Sequence, residues 1–152
     1  TRCLSDWSSD VCSSDLVTVG VGGTANMLVI TSSDVLANGL SVGTKIIPQN
    51  SQSANYTLVL TDSGKQIFHP SADTTARTFT IPANGTVAYD VGTSITFINQ
   101  ASAGNVSIAI TTDTMRLAGN GATGTRTLTA NGVATAIKIT STEWIISGVN
   151  LT

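Results

Sequence analysis

The sequence predicts an all-β fold, an antiparallel β-sandwich-like domain with short hairpins and little or no helix. Three observations carry this reading. Apolar and polar residues alternate with a period of two over most of the chain, the pattern of strands with one buried face. Helical periodicity is nearly absent. Asn-Gly pairs at Asn38-Gly39, Asn84-Gly85, Asn120-Gly121 and Asn131-Gly132, joined by Asp62-Ser63-Gly64, supply the left-handed residues that tight hairpin turns require.

Taken in order, strands are expected at 26–31 and 45–47, with a helical turn admitted only at 33–37. The polar stretch 48–54, without an apolar anchor, reads as a linker. Beyond it Tyr56, Leu58 and Leu60 share one phase. Phe79 with Ile81, Ile95 with Phe97, and Val106 with Ile108 and Ile110 give three further alternating runs. Near the end Ile137 and Ile139 are expected inward, alternating with Ala136, Lys138 and Thr140. The run Trp144-Ile145-Ile146 is expected to be buried on both sides. Residues 119–124, GNGATG, are too glycine-rich to pack and read as an exposed loop.

Residues 1–16, TRCLSDWSSDVCSSDL, differ in composition from the rest of the chain: they hold both cysteines, one of the two tryptophans and three of the nine acids. Trp7 to Leu16 back-translates as TGG AGT TCA GAC GTG TGC TCT TCC GAT CT, and the segment resembles a translated sequencing-library adapter, expected to be disordered. Cys3 and Cys12 then say nothing about redox compartment or metal binding. The expected organisation is this segment, an N-terminal β segment with linker over 17–53, and a C-terminal β domain over 54–152.

Charged residues make up 11% of the chain, against about a quarter in an average soluble domain. Outside residues 1–16, six basic residues balance six acidic ones. With no basic run there is no electrostatic footprint for nucleic acid or for an anionic membrane surface. No apolar stretch approaches the roughly 18 residues of a helical span, so no membrane insertion is expected.

Chemistry-bearing residues are sparse. The single histidine, His69, closes a strand before Pro70, which is a thin basis for a nucleophilic triad. No zinc or calcium ligand spacing occurs, and no cofactor or metal is expected. Glycoside hydrolysis needs only two suitably spaced carboxylates, and Asp62, Asp73, Asp90, Asp113 and Glu143 are the candidates. Each has a structural reading in a turn, a polar loop or a strand end. Residues 119–124 lack the Lys-Ser/Thr ending of a phosphate-binding loop. For surface recognition the candidates are Tyr89, the aromatic residue expected to be exposed between a turn and a glycine, and Asn120 and Thr123 in the glycine-rich loop.

From Tyr56 to Thr152 the order and spacing of four blocks carry a family resemblance. They are Thr61-Asp62-Ser63-Gly64-Lys65-Gln66-Ile67, Thr78-Phe79-Thr80-Ile81-Pro82-Ala83-Asn84, Val91-Gly92-Thr93-Ser94-Ile95-Thr96-Phe97-Ile98-Asn99, and Ala134-Thr135-Ala136-Ile137-Lys138-Ile139 followed by Trp144-Ile145-Ile146-Ser147-Gly148. This region resembles the C-terminal β-domain of tailed-bacteriophage tail-fibre and related virion proteins. The resemblance implies a non-enzymatic virion module, often homotrimeric, located in the virion and facing a bacterial surface glycan or protein receptor. It brings no catalytic residues. The alternatives are a fragment of a polysaccharide-degrading tailspike and a bacterial extracellular carbohydrate-binding or adhesin domain. Few charges or prolines guard the strand edges, which also argues for a homo-oligomer, with neighbouring copies covering them.

Overall fold

The computed structural model describes residues 46–152 and, before them, the backbone of four strands. The chain divides into two compact units, residues 1–46 and 47–152. In the first unit β1 (Leu16–Thr18), β2 (Met27–Ile30), β3 (Val35–Ala37) and β4 (Leu40–Ser41) form an antiparallel sheet in chain order. Ala37 lies opposite Leu40, so the strands on either side of Asn38-Gly39 pair as a hairpin. Val35–Ala37 is a strand, not part of a helical turn. Most of residues 1–16 lie outside the described residues.

The second unit is all-β. Its elements are β5 (Gln49–Ser51), β6 (Tyr56–Thr57), a 3-10 turn (Leu60–Asp62), β7 (Gln66–His69), β8 (Arg77–Ile81), β9 (Ser94–Asn99), β10 (Val106–Ile110), β11 (Thr114–Leu117), β12 (Arg126–Thr140) and β13 (Glu143–Leu151). They form one nine-stranded sheet. Among the described residues no helix is long and apolar enough to cross a membrane.

The pairing is mixed, not antiparallel as the turn signals suggest. Strands β5, β7 and β9 lie parallel in one leg, and β6, β8 and β10 lie parallel in the other. Each successive pair, β5 with β6, β7 with β8, and β9 with β10, gives one strand to each leg, so the chain coils through three superimposed turns. Inward positions therefore stack in ladders: Asn50, Ile67 and Phe97 in one leg, and Tyr56, Phe79 and Ile108 in the other. The two legs bury a common core, and the edge of His69 in β7 meets the Phe79 ring in β8 with centroids 6.1 Å apart.

Strand β12 joins the legs. Residues 132–137 pair antiparallel with β9, while residues 126–128 pair antiparallel with β10 on the same edge; β13 occupies the other edge and carries β11 beyond it in parallel. Between the two stretches the register with β13 shifts, and Asn131 stands at φ 59°. Asn131-Gly132 is thus a bulge inside a fifteen-residue strand and not a hairpin turn. A Cβ on Gly132 would lie 2.6 Å from the Thr129 carbonyl oxygen, which is why the bulge takes glycine. Likewise Asn84-Gly85 turns within a long connection, since β8 pairs with β6 and β10 and not with β9.

Three further expectations are corrected. Gln49–Ser51, within the stretch read as a linker, forms the edge strand of one leg; its polarity suits the first turn of the stack, where Asn50 faces polar partners. The inward phase of β12 is carried by Ala134, Ala136 and Lys138, while Ile137 and Ile139 point outward at 41% and 42% exposure. Small alanines fit there because Ala134 stands opposite Phe97, and Ala136 opposite Ile95 and Ile146. Of the run Trp144-Ile145-Ile146, the first and last are buried and Ile145 faces out, as alternation requires.

Candidate functional site

Four side-chain clusters and one surface of the second unit are candidates for function. At the first turn of the stack Asp62 is buried and accepts from Asn50 Nδ2 at 3.0 Å, from the Tyr56 hydroxyl at 2.8 Å and from the Val59 N–H at 2.9 Å. Burial, then the adjacent Asp62, pushes the Tyr56 phenol up from its ordinary value. These bonds close the polar end of both ladders and leave Asp62 committed to structure.

At the opposite corner His69, fully buried, places Nδ1 3.0 Å from Asn99 Oδ1 and Nε2 3.1 Å from Asp73 Oδ2. Asp73 is held in turn by Arg77, with Nε at 2.7 Å and Nη2 at 3.2 Å, and it accepts the Thr75 N–H at 3.1 Å. The Arg77 bonds, aided by His69, keep its carboxyl well below the usual carboxylate range. Both ring nitrogens are thus occupied, and neither meets a hydroxyl.

A third cluster surrounds Lys138, buried on the inner face of β12. Its Nζ donates to Asn84 Oδ1 at 2.6 Å and to the Tyr89 carbonyl at 2.8 Å, and lies 5.9 Å from the centre of the Trp144 ring. The fourth is Arg126, opposite Ile108 at the foot of the second ladder, whose buried Nε and Nη2 have no hydrogen-bond partner.

Four of the five candidate carboxylates are engaged in structural contacts. Asp62 and Asp73 are engaged within their own clusters, Asp113 accepts the Asn84 N–H at 3.0 Å, and Glu143 pairs with Arg116. None of these four shares a hydrogen-bond partner with another. Among the described residues no group of three His, Cys, Asp or Glu side chains could hold a metal ion.

Of the recognition candidates, Asn120 and Thr123 are exposed in the 119–124 loop, and Asn120 Oδ1 accepts the Ala122 N–H at 2.9 Å, which fixes the turn. Tyr89 is not a surface residue. Its ring packs edge-on against Trp144 with centroids 5.5 Å apart, and its hydroxyl donates to the Val59 carbonyl at 2.6 Å. Sequence reasoning placed it outside because a turn and a glycine flank it, whereas the loop folds its side chain back onto the core.

The surface that sequence reasoning missed is the outer face of β12 and β13. Val133 stands opposite Val149, Thr135 opposite Ser147, and Ile137 opposite Ile145, with Ile139 next along β12. All four aliphatic side chains of the two apolar rows, and Ile139, are at least 36% exposed, with Val149 at 70%. On the neighbouring strand Ile98 extends the first row, and the Thr96 and Thr135 hydroxyls meet at 3.2 Å. The charged Arg116–Glu143 pair belongs to the strands at the end of this face. The Lys138 ammonium is turned inward, and the charges on the outward side are Arg116, opposite Ile145, and its partner Glu143 at the start of β13. The signal was present as the alternation in 133–139, read in the wrong phase. No protein-family model, curated protein or solved structure matches the chain.

Proposed function

We propose that the chain is a non-enzymatic structural module of a tailed-bacteriophage virion, of tail-fibre type, that assembles as a homotrimer and recognises a glycan or protein receptor on the bacterial surface. The observation that carries the assembly part is the outer face of β12 and β13, whose exposed aliphatic side chains stand in paired rows and not as scattered singles, with the Arg116–Glu143 pair at one end. A face of Val, Thr, Ile and Ser suits packing against another sheet face, and identical copies offer one of matching chemistry. The virion and host-recognition parts rest on the resemblance of residues 56–152 to fibre domains. The non-enzymatic part is supported by carboxylates and a histidine that are engaged in holding loops.

The test incubates the full chain with whole host-range panels of bacteria and with their purified capsule and lipopolysaccharide. Saturable adsorption without release of reducing ends supports the reading. Release of reducing ends would move the chain to the polysaccharide-degrading tailspike class.

A further inference from the structure

The His69 corner contains a hydrogen-bond conflict that only one protonation state resolves. Asn99 Nδ2 donates to the Gly104 carbonyl at 2.9 Å and to the Leu128 carbonyl at 3.0 Å. Reversing the amide would turn its oxygen on two carbonyl oxygens, so Oδ1 is fixed as an acceptor toward His69 Nδ1. On the other side Nε2 faces Asp73 Oδ2, and the bidentate Arg77 contact keeps that carboxylate ionised and acceptor-only. A neutral imidazole has one N–H, so either tautomer sets a lone pair against an oxygen 3.0 or 3.1 Å away. The ring is fully buried, and its aromatic neighbour Phe79 lies nearly perpendicular to it with centroids 6.1 Å apart.

We propose that His69 is a protonation-dependent tie between two loops. Its doubly protonated ring bridges Asp73 and Asn99, holding residues 70–76 against residues 100–105, and the corner loosens when the ring gives up a proton. The charged groups facing the ring are Asp73 from the 70–76 connection and Arg77 from β8; β9 contributes the neutral Asn99. Arg77 orients Asp73 through its two hydrogen bonds. The two loops also meet through Gly104 N–H to the Asp73 carbonyl at 3.1 Å, Ser71 N–H to Gln100 Oε1 at 2.8 Å, and Gln100 N–H to the His69 carbonyl at 3.0 Å. These bonds depend on the same corner geometry.

Because the chain has a single histidine, every imidazole signal belongs to residue 69. The test tracks ring nitrogen shifts of the full chain by NMR as pH is raised, together with hydrogen exchange at Ser71, Thr75, Gln100 and Gly104. The expected result is a doubly protonated ring while these amides are protected. As the ring loses its proton, their exchange should rise about tenfold beyond the intrinsic pH effect, with Gly64, at the other end of the stack, unchanged. His69→Gln should abolish that pH dependence; if this variant does not fold, the ring signals of the unaltered chain decide. A neutral, single-tautomer ring in the folded chain, or loss of the proton without any change at the four amides, overturns the proposal.

Discussion

The Lys138 ammonium sits 2.8 Å from the main-chain oxygen of Tyr89, inside the core and directly across from the strand face that carries Ile137 and Ile139. One contact therefore sets the phase of β12. With Lys138 inward, satisfied by Tyr89 and Asn84 and lying over Trp144, the isoleucines on either side must face outward. The core gains a pinned loop from this phase, and the surface gains an apolar face.

Replacing Lys138 by methionine keeps most of the side-chain volume and removes the donor to two carbonyl oxygens. Leaving these acceptors unpaired costs about 1–3 kcal/mol and frees the connection that carries Asn84 and Tyr89. Urea unfolding of K138M should show a lower midpoint with an unchanged slope. An equal or higher midpoint would mean the ammonium is a cost that the fold merely tolerates.

The Tyr89 phenol is pushed up by burial, and then by the charges of Asp62 and Tyr56, from its ordinary value of 10.0. Its folded form therefore keeps a proton that the unfolded chain releases above about pH 10. Stability from this group is complete below that pH and declines as pH rises beyond it. Phenolate absorbance during alkaline unfolding should show Tyr89 ionising only with loss of structure. Tyr89→Phe, which also loses the bond to the Val59 carbonyl, should cost about 1 kcal/mol at neutral pH and make the alkaline decline shallower.

Gly104 is where the two loops of the His69 corner touch. A Cβ there would fall 2.3 Å from the Thr75 carbonyl carbon and 2.4 Å from its oxygen, both backbone atoms that cannot swing aside. Gly104→Ala should lower stability by roughly 1–3 kcal/mol, read by thermal unfolding, with faster exchange at Thr75 as its local signature. Gly64→Ala, at φ 75° with open space around it, should cost less because only backbone strain is added.

The all-β class and most strand positions were legible because alternation is a local property of the chain: β8, β9 and β10 bury the residues their sequence phases indicate. The partners were not legible. A period of two says which face is buried but not which strand lies alongside, so the parallel legs β5-β7-β9 and β6-β8-β10 left no local trace. Asn131-Gly132 has the chemistry of a hairpin turn and serves as a bulge, since both structures need a left-handed residue and only long-range pairing tells them apart. The β12 phase failed because hydrophobicity ranks isoleucine above alanine and lysine, whereas the site has room beside Phe97 for a methyl group and acceptors for an ammonium. His69 was visible only as the end of a strand; Asn99, thirty residues on, completes the cluster and is invisible to spacing.

Self-association through the outer face of β12 and β13 is the claim on which the proposed role depends. Light scattering on a sizing column, applied to the full chain and to Ile137→Lys, tests it most directly. The account predicts a native mass three times that of one chain, and at least a tenfold weaker assembly when a charge is set into the Ile137–Ile145 row. A monomer at all concentrations, or a trimer indifferent to a lysine at position 137, would contradict it.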